Sequence, residues 1–479
     1  METTTTLDAA RHQHSRAVAR PQREAIGQFL TPAAIAHFMA AQLSLGLDNR
    51  LLDPGAGIGT LAAAVATRLK PGQSLAITAW EPDTLAAARW PELLGSDTLP
   101  ANVRAQLHRA DYVAAAAHSI ALGEAPVYTH AILNPPYQKI GVNSTHRLAL
   151  RSAGIETVNL YAGFVALALL QLQRGGELVA IIPRSFANGP YYRPFRELIL
   201  REAVVASIHL FKARDQLFGD DAVLQENVIL KLVRGGVQGT VQVSFSRDAR
   251  FDDVQHYTLP FAEFVQPQDM ERFFRISEPG TRGALPFHHS LAQVGVEVST
   301  GPVVDFRHKA DLRAAPEAGA VPLLYAAHFA DGFRWPRGGK KPDAIVRSAT
   351  VERWLLPNAC YVLTKRFSSK EERRRIVAHV LSAGAVPGEC VGFENHLNVF
   401  HFRKRGLDED LARGLAAYLN STMVDQHFRQ FSGHTQVNAT DLRSLSYPSR
   451  EQLMFLGAGL GRLDTTKQDV IDAAVEKLA

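Results

Sequence analysis

Arg50-Leu51-Leu52-Asp53-Pro54-Gly55-Ala56-Gly57-Ile58-Gly59-Thr60 decides the fold. Apolar residues run into an acid, glycine then alternates with other residues, and an alanine-rich stretch follows to Leu69. This reads as a short strand, a tight turn and a helix. Glycine lets the backbone turn sharply and approach a ligand closely, and the helix that follows offers N–H groups with no partner inside it. A dinucleotide fingerprint, G-x-G-x-x-G, would need glycine where Thr60 stands. An ordinary turn between strand and helix could carry the same residues, so the loop does not decide the matter alone.

Outward from the loop, strand-like and helical stretches alternate. Leu75–Glu81, a weaker strand ending near Ala110-Asp111, His130–Leu133, Glu177–Ile182, Val204–Phe211 and Asn227–Val233 join the first strand to make about seven. Helices lie between them, so a doubly wound α/β sheet with helices on both faces is expected. Thr31-Pro32 reads as the N-cap and first position of an earlier helix. Residues 1–20 read as a loose arm, 21–244 as the sheet domain and 245–479 as a second, mixed α+β domain. In the latter the alternation is lost and basic clusters such as Lys365-Arg366 and Arg373-Arg374-Arg375 appear.

Asp53, Glu81, Asp111 and Asn134 all fall at the carboxyl ends of successive strands, the edge where open α/β sheets bind ligands. Glu81 is placed for ribose hydroxyls and Asp111 for an adenine amino group. With the G-x-G-x-G spacing behind an acid, that pattern favours S-adenosylmethionine over a pyrophosphate-bearing ligand, with Gly55 and Gly57 as the cradle.

Asn134-Pro135-Pro136-Tyr137 ends the fourth strand. Two prolines stop the ladder and stiffen the chain. Asn134 offers a side-chain carbonyl, Pro135 a main-chain carbonyl in a fixed direction, and Tyr137 a flat face for a base. Two acceptors aimed at an exocyclic amino group would hold its nitrogen toward an electrophilic methyl. Positioning and electrostatics would then carry the rate, without a metal.

Composition is consistent with this. Hydrophobic residues are 46% and charged residues 21%, which argues against a disordered or fibrous chain. The apolar run from Ala162 to Leu172 is shorter than the ~18–20 residues of a membrane span. The start shows no basic and apolar leader. Two cysteines, Cys360 and Cys390, make neither a disulfide framework nor a zinc site, so no metal and a cytoplasmic setting are expected. The net charge of +5 permits nucleic-acid binding.

Taken in order, these segments resemble the γ-class, TaqI-like adenine-N6 DNA methyltransferases, and among them the PstI/BsuBI-type restriction–modification subgroup. Gly27-Gln28-Phe29-Leu30-Thr31-Pro32 is similar to the segment that closes over the methionine end of the cofactor, which implies Gln28, Phe29 and Thr31 as cofactor contacts. Pro183 to Arg196 resembles the segment carrying a second aromatic against the target base, which points to Tyr192, with Tyr191 next. Methylating a base inside a duplex requires flipping it out, with Tyr137 and Tyr192 on either side. Glu297–Gly301, Glu394–Asn398, Tyr418–Ser421 and Ser432–Asn438 are similar to the family's target-recognition domain. The implied DNA contacts are His396, Asn398, His434, Gln436 and Asn438, with Lys365 and Arg366 on the phosphates. Double-stranded DNA is the expected partner. No nuclease signature is found: Pro342-Asp343 and Glu352 lack the needed lysine, so a cognate endonuclease would be a separate protein. The alternatives are an RNA or protein-glutamine methyltransferase with the same Asn-Pro-Pro-Tyr box, a non-catalytic DNA-binding module, and a nucleotide-linked oxidoreductase.

Overall fold

A computed structural model describes residues 2–17, 30–95, 97–211, 226–267, 269–276, 285–330, 332–368, 372–431, 436–461 and 467–479. The chain forms two compact units that divide after residue 276. The first is built on a nine-stranded sheet in the order β3-β2-β1-β4-β5-β7-β6-β8-β9. Its strands are β1 (Asp48–Pro54), β2 (Ser74–Trp80), β3 (Val103–His108), β4 (Tyr128–Leu133), β5 (Leu172–Pro183), β6 (Ala203–Phe211), β7 (Asn227–Arg234), β8 (Val241–Ser246) and β9 (Gln255–Leu259). β1 to β5 pair in parallel, while β7 runs antiparallel between β5 and β6.

Adjacent residues on a strand point to opposite faces, and this chain fills both. Leu52, Ala131, Leu178 and Ala180 join the core beneath the helix Leu160–Leu170. Leu51, Ile132, Val179 and Ile181 join the other core, with the helices Ala33–Ala41 and Thr60–Ala66. Helices on both faces give the doubly wound architecture that the alternation predicts. The order reverses at β1, where β2 lies on one side and β4 on the other. The segments after β1 and β4 therefore border one crevice.

Three expectations need correction. The sheet has two strands beyond the seven, because β8 pairs with β6 and β9 with β8, so the first unit extends past the expected boundary at residue 244. Residues 2–17 are a helix, not a loose arm. Leu7 and Ala10 are buried one turn apart, and Asp8 Oδ1 accepts the Ala33 N–H at 3.2 Å. Finally, Pro32 rather than Thr31 caps the helix Ala33–Ala41, since the Thr31 hydroxyl is engaged elsewhere.

The second unit is α+β. Its four-stranded antiparallel sheet has the order β10 (Glu297–Thr300), β18 (Leu397–His401), β15 (Tyr361–Lys365), β16 (Ala378–Leu381). A five-stranded sheet contains β17 (Cys390–Phe393). The helices Glu409–Leu419 and Arg450–Leu460 pack backbone to backbone: a Cβ at Gly414 would lie 1.9 Å from Leu453 O, and one at Gly457 1.8 Å from Asp410 O. Among the described residues, no helix is long and apolar enough to cross a membrane.

Candidate active site

The glycine loop is held by its neighbours before any ligand is considered. Gly55, Gly57 and Gly59 all have positive φ, at 69°, 57° and 91°, a region that L side chains avoid. The N–H groups of Gly55 and Ala56 donate to Trp80 O at 2.9 and 3.0 Å. Glu81 follows β2, and its carboxylate accepts the Gly57 N–H at 2.8 Å on one oxygen and the Asp83 N–H at 2.8 Å on the other. Burial pushes its pKa up, and the two backbone donors oppose that. Each oxygen keeps a second lone pair, so Glu81 can hold the loop and still accept from a ligand diol.

Beside the loop lies a cavity of about 310 Å³, at the small end of ligand-site volumes. Leu30, Pro82, Pro136 and Phe164 give it apolar walls, and Thr31, Thr60, Glu81, Asp83 and Asn134 give it polar ones. Thr60 is buried, and its Oγ1 has no hydrogen-bond partner among the described residues. A Cβ at Gly57 would press to 3.2 Å from Leu30, and one at Gly55 to 3.4 Å from Phe164. A bare backbone cradle, an acid for hydroxyls and apolar walls for a flat base suit S-adenosylmethionine.

Asn134 stands on the same wall. Its Nδ2 donates to Thr31 Oγ1 at 3.0 Å, and its Oδ1 accepts from the Tyr137 hydroxyl at 3.1 Å. The same hydroxyl lies 3.3 Å from Ile181 O. Burial raises the Tyr137 pKa, so the hydroxyl remains a donor. Tyr161 is buried against both aromatics of interest. Its ring meets Tyr137 edge-on at 6.2 Å and stacks with Tyr192 at 5.7 Å. The Tyr192 hydroxyl accepts from Asn159 Nδ2 and lies 3.5 Å from Ser185 Oγ. Tyr191 is exposed.

Two of the expected acids lie off the cavity wall. Asp53 is 0% exposed, and neither oxygen meets full hydrogen-bond geometry with a partner among the described residues. Its pKa is raised to about 8, mainly by burial; the Ala62 N–H lowers it and nearby Glu81 raises it. Asp111 is exposed and caps the helix Tyr112–Ala121 through Ala114 N at 3.0 Å, with His146 Nε2 at 2.6 Å. Gln28 and Phe29 lie outside the described residues, as does His434. Asp83 and Phe164 were not anticipated. Asp83 carries a cap signal, accepting the Ala86 N–H at 2.7 Å, whereas Phe164 sits in a helix apolar all round and carries none.

In the second unit, Lys365 Nζ is paired with Glu372 at 2.9 Å, and Arg366 Nη1 lies 3.3 Å from Asn395 O. Gln436 bridges to Phe367, whose ring lies tilted against His396 at 5.0 Å. Asn438 heads the helix Ala439–Arg443, its N–H on Asp441 Oδ2 at 2.8 Å. Asn398 is buried, its Nδ2 donating to Val437 O at 2.8 Å, so in this structure it braces a loop. The Arg373–Arg375 run precedes strand β16. Arg375 is buried there: its N–H donates to Asp425 at 2.6 Å, and its guanidinium lies over Phe428.

The Eco57I restriction-modification methylase family matches residues 108–218. The Type II methyltransferase M.BsuBI of Bacillus subtilis is 47% identical over 469 residues, covering 95% of this chain and 94% of its own. M.PstI of Providencia stuartii, also a Type II methyltransferase, is 37% identical over 486 residues, covering 97% and 96%. Among solved structures, the Type IIL restriction–modification enzyme MmeI in complex with DNA matches at a TM-score of 0.54 and 11% identity, over 98% of this chain and 73% of that one. This last likeness is one of fold alone.

Sheet order, glycine cradle and relatives together define a methyltransferase of doubly wound α/β fold whose methyl donor is S-adenosylmethionine. The chain belongs to the Type II DNA methyltransferases of restriction–modification systems.

Proposed function

We propose that this methyltransferase modifies the N6 amino group of an adenine flipped out of duplex DNA at a specific site. The observation that carries the reading is the position of Asn134, which lines the cofactor cavity and shares a hydrogen bond with Tyr137. S-adenosylmethionine, when bound, supplies a methyl group on a good leaving group. The chain's own residues do the rest by placement. Asn134 Oδ1, together with the Pro135 carbonyl, would accept the two hydrogens of the amine. That grip would leave the nitrogen lone pair directed at the cavity. The Tyr137 ring would stack on the extruded base, with Tyr192 as the second wall and Tyr161 behind both. Extrusion costs a few kcal/mol, offset by stacking and backbone contacts. Glu81, Gly55 and Gly57 would hold the cofactor directly, with Thr31, Gln28 and Phe29 closing over its methionine end. Asp53 would support the loop from beneath, and Asp111 would reach the adenine of the cofactor after release from His146.

In the second unit Lys365, Arg366, His396, His434, Gln436 and Asn438 are the proposed DNA contacts, with Asn398 acting through the loop it braces. A separately encoded endonuclease of the same specificity would be the partner in the system, and the cytoplasm the place of work.

The test is to methylate mixed-sequence duplex DNA with labelled S-adenosylmethionine, digest it to nucleosides and identify the labelled base. N6-methyladenine is expected. Label in a methylated cytosine would overturn the choice of base, and label only on RNA or protein glutamine the choice of polymer.

A further inference from the structure

In the second unit a buried carboxylate serves an exposed imidazole. The Glu394 side chain is 0% exposed and that of His396 45%. Glu394 Oε2 accepts the main-chain N–H of His396 at 3.0 Å, and Oε1 is bonded to His396 Nδ1. Burying a carboxylate is costly unless it is paired, and here both oxygens serve one neighbouring residue. A carboxylate accepts, so Nδ1 carries the proton of that bond, and Nε2 has no hydrogen bond among the described residues. A carboxylate placed in this way fixes both the tautomer and the direction of the ring.

The turn that carries the pair is braced from several sides. Glu394 N donates to Leu324 O at 3.0 Å, Asn395 N to Val303 O at 2.9 Å, and Arg366 N to His396 O at 2.9 Å. Val437 N donates to Arg366 O at 2.7 Å. A Cβ at Gly301 would fall 2.2 Å from Glu394 O, so that segment passes directly against the turn. Phe367, 41% exposed, lies beside the imidazole with ring centroids 5.0 Å apart. A simple connection between β17 and β18 would need none of this rigidity. Phosphates are satisfied by any nearby cation, whereas base edges discriminate by the direction of a hydrogen bond.

We propose that His396 is a base-reading residue, its outward Nε2 bonding one base edge of the DNA target, and that Glu394 is the positioning residue that aims it. The proposal rests on the reading of the second unit as the part that contacts DNA.

The test uses the full-length enzyme. Its site is found by sequencing DNA the wild type has methylated, and duplexes are made with every single base-pair substitution of that site. Methyl incorporation is read as kcat/KM, whichever base takes the label. His396→Ala should lower kcat/KM on the intact site about 10- to 100-fold and flatten the preference at one base pair, with cofactor Kd and Tm unchanged. Glu394→Gln should weaken the preference at that same base pair. If Glu394→Gln does not fold, His396→Ala, at an exposed ring, carries the test. Unaltered base preference in an active His396→Ala enzyme overturns the proposal. So does a uniform loss on all duplexes with a salt slope shallower by about one, the mark of a phosphate contact. A wild type active on no duplex would sink the underlying reading as well.

Discussion

The Tyr137 hydroxyl donates to Asn134 Oδ1 at 3.1 Å, while Asn134 Nδ2 donates to Thr31 at 3.0 Å. Two bonds at opposite ends of one amide fix which atom faces which way. Asn134→Ala should therefore cut turnover by about 10²-fold or more, the scale for losing a preorganised polar group, with cofactor binding retained. Tyr137→Phe keeps the ring and loses only the hydroxyl's contacts, so a loss of about tenfold or less is expected. Tyr137→Ala should cost more, and more on a paired target base than on a mispaired one. Single-turnover rates on both duplexes decide this; equal losses for Phe and Ala would argue against stacking.

Glu81 ties Gly57 and Asp83 with its two oxygens. Removing it should loosen the cradle and delete a ligand acceptor together. Calorimetry on Glu81→Ala should show S-adenosylmethionine binding weaker by at least about tenfold. An unchanged Kd would count against the cavity as the cofactor site.

The Asp53 carboxyl titrates at about 8 in the fold, against an ordinary value of 3.8. The folded chain thus binds a proton that the unfolded chain has lost between those values, and stability falls as pH rises through that window. Asp53→Asn should remove this dependence. Urea unfolding at about pH 5 and pH 8.5 should show the wild type losing more stability than the variant; parallel losses would refute it.

A Cβ at Gly59 would stand 2.8 Å from Leu94 and 2.9 Å from Trp90, at a φ of 91°. Gly59→Ala should therefore destabilise by about 1–3 kcal/mol from overpacking alone, plus backbone strain. At Gly72 φ is 85° but nothing lies within 4 Å of the added atom, so Gly72→Ala should cost the strain only, about 1–2 kcal/mol. Thermal melts that rank the two the other way would show that the Trp90 side yields.

Strands, helices, the glycine turn and the Asn-Pro-Pro-Tyr corner were legible in the sequence because each is a local property. Apolar periodicity, proline and glycine act on their own stretch of backbone. The last two strands, β8 and β9, were not legible, because Gly235-Gly236 reads as an end and the pairing that continues the sheet is made with β6. Partners of polar groups were not legible either. Thr31 looks like a helix cap until Asn134, 103 residues away in sequence, claims its hydroxyl. That Asp53 is fully buried, and that Asn398 Nδ2 meets Val437 O 39 residues away, were equally beyond reach. Local sequence thus determined which elements form and in what order. The tertiary structure alone decided which polar atoms face a cavity, a partner or nothing, because desolvation and hydrogen bonding depend on segments distant in the chain.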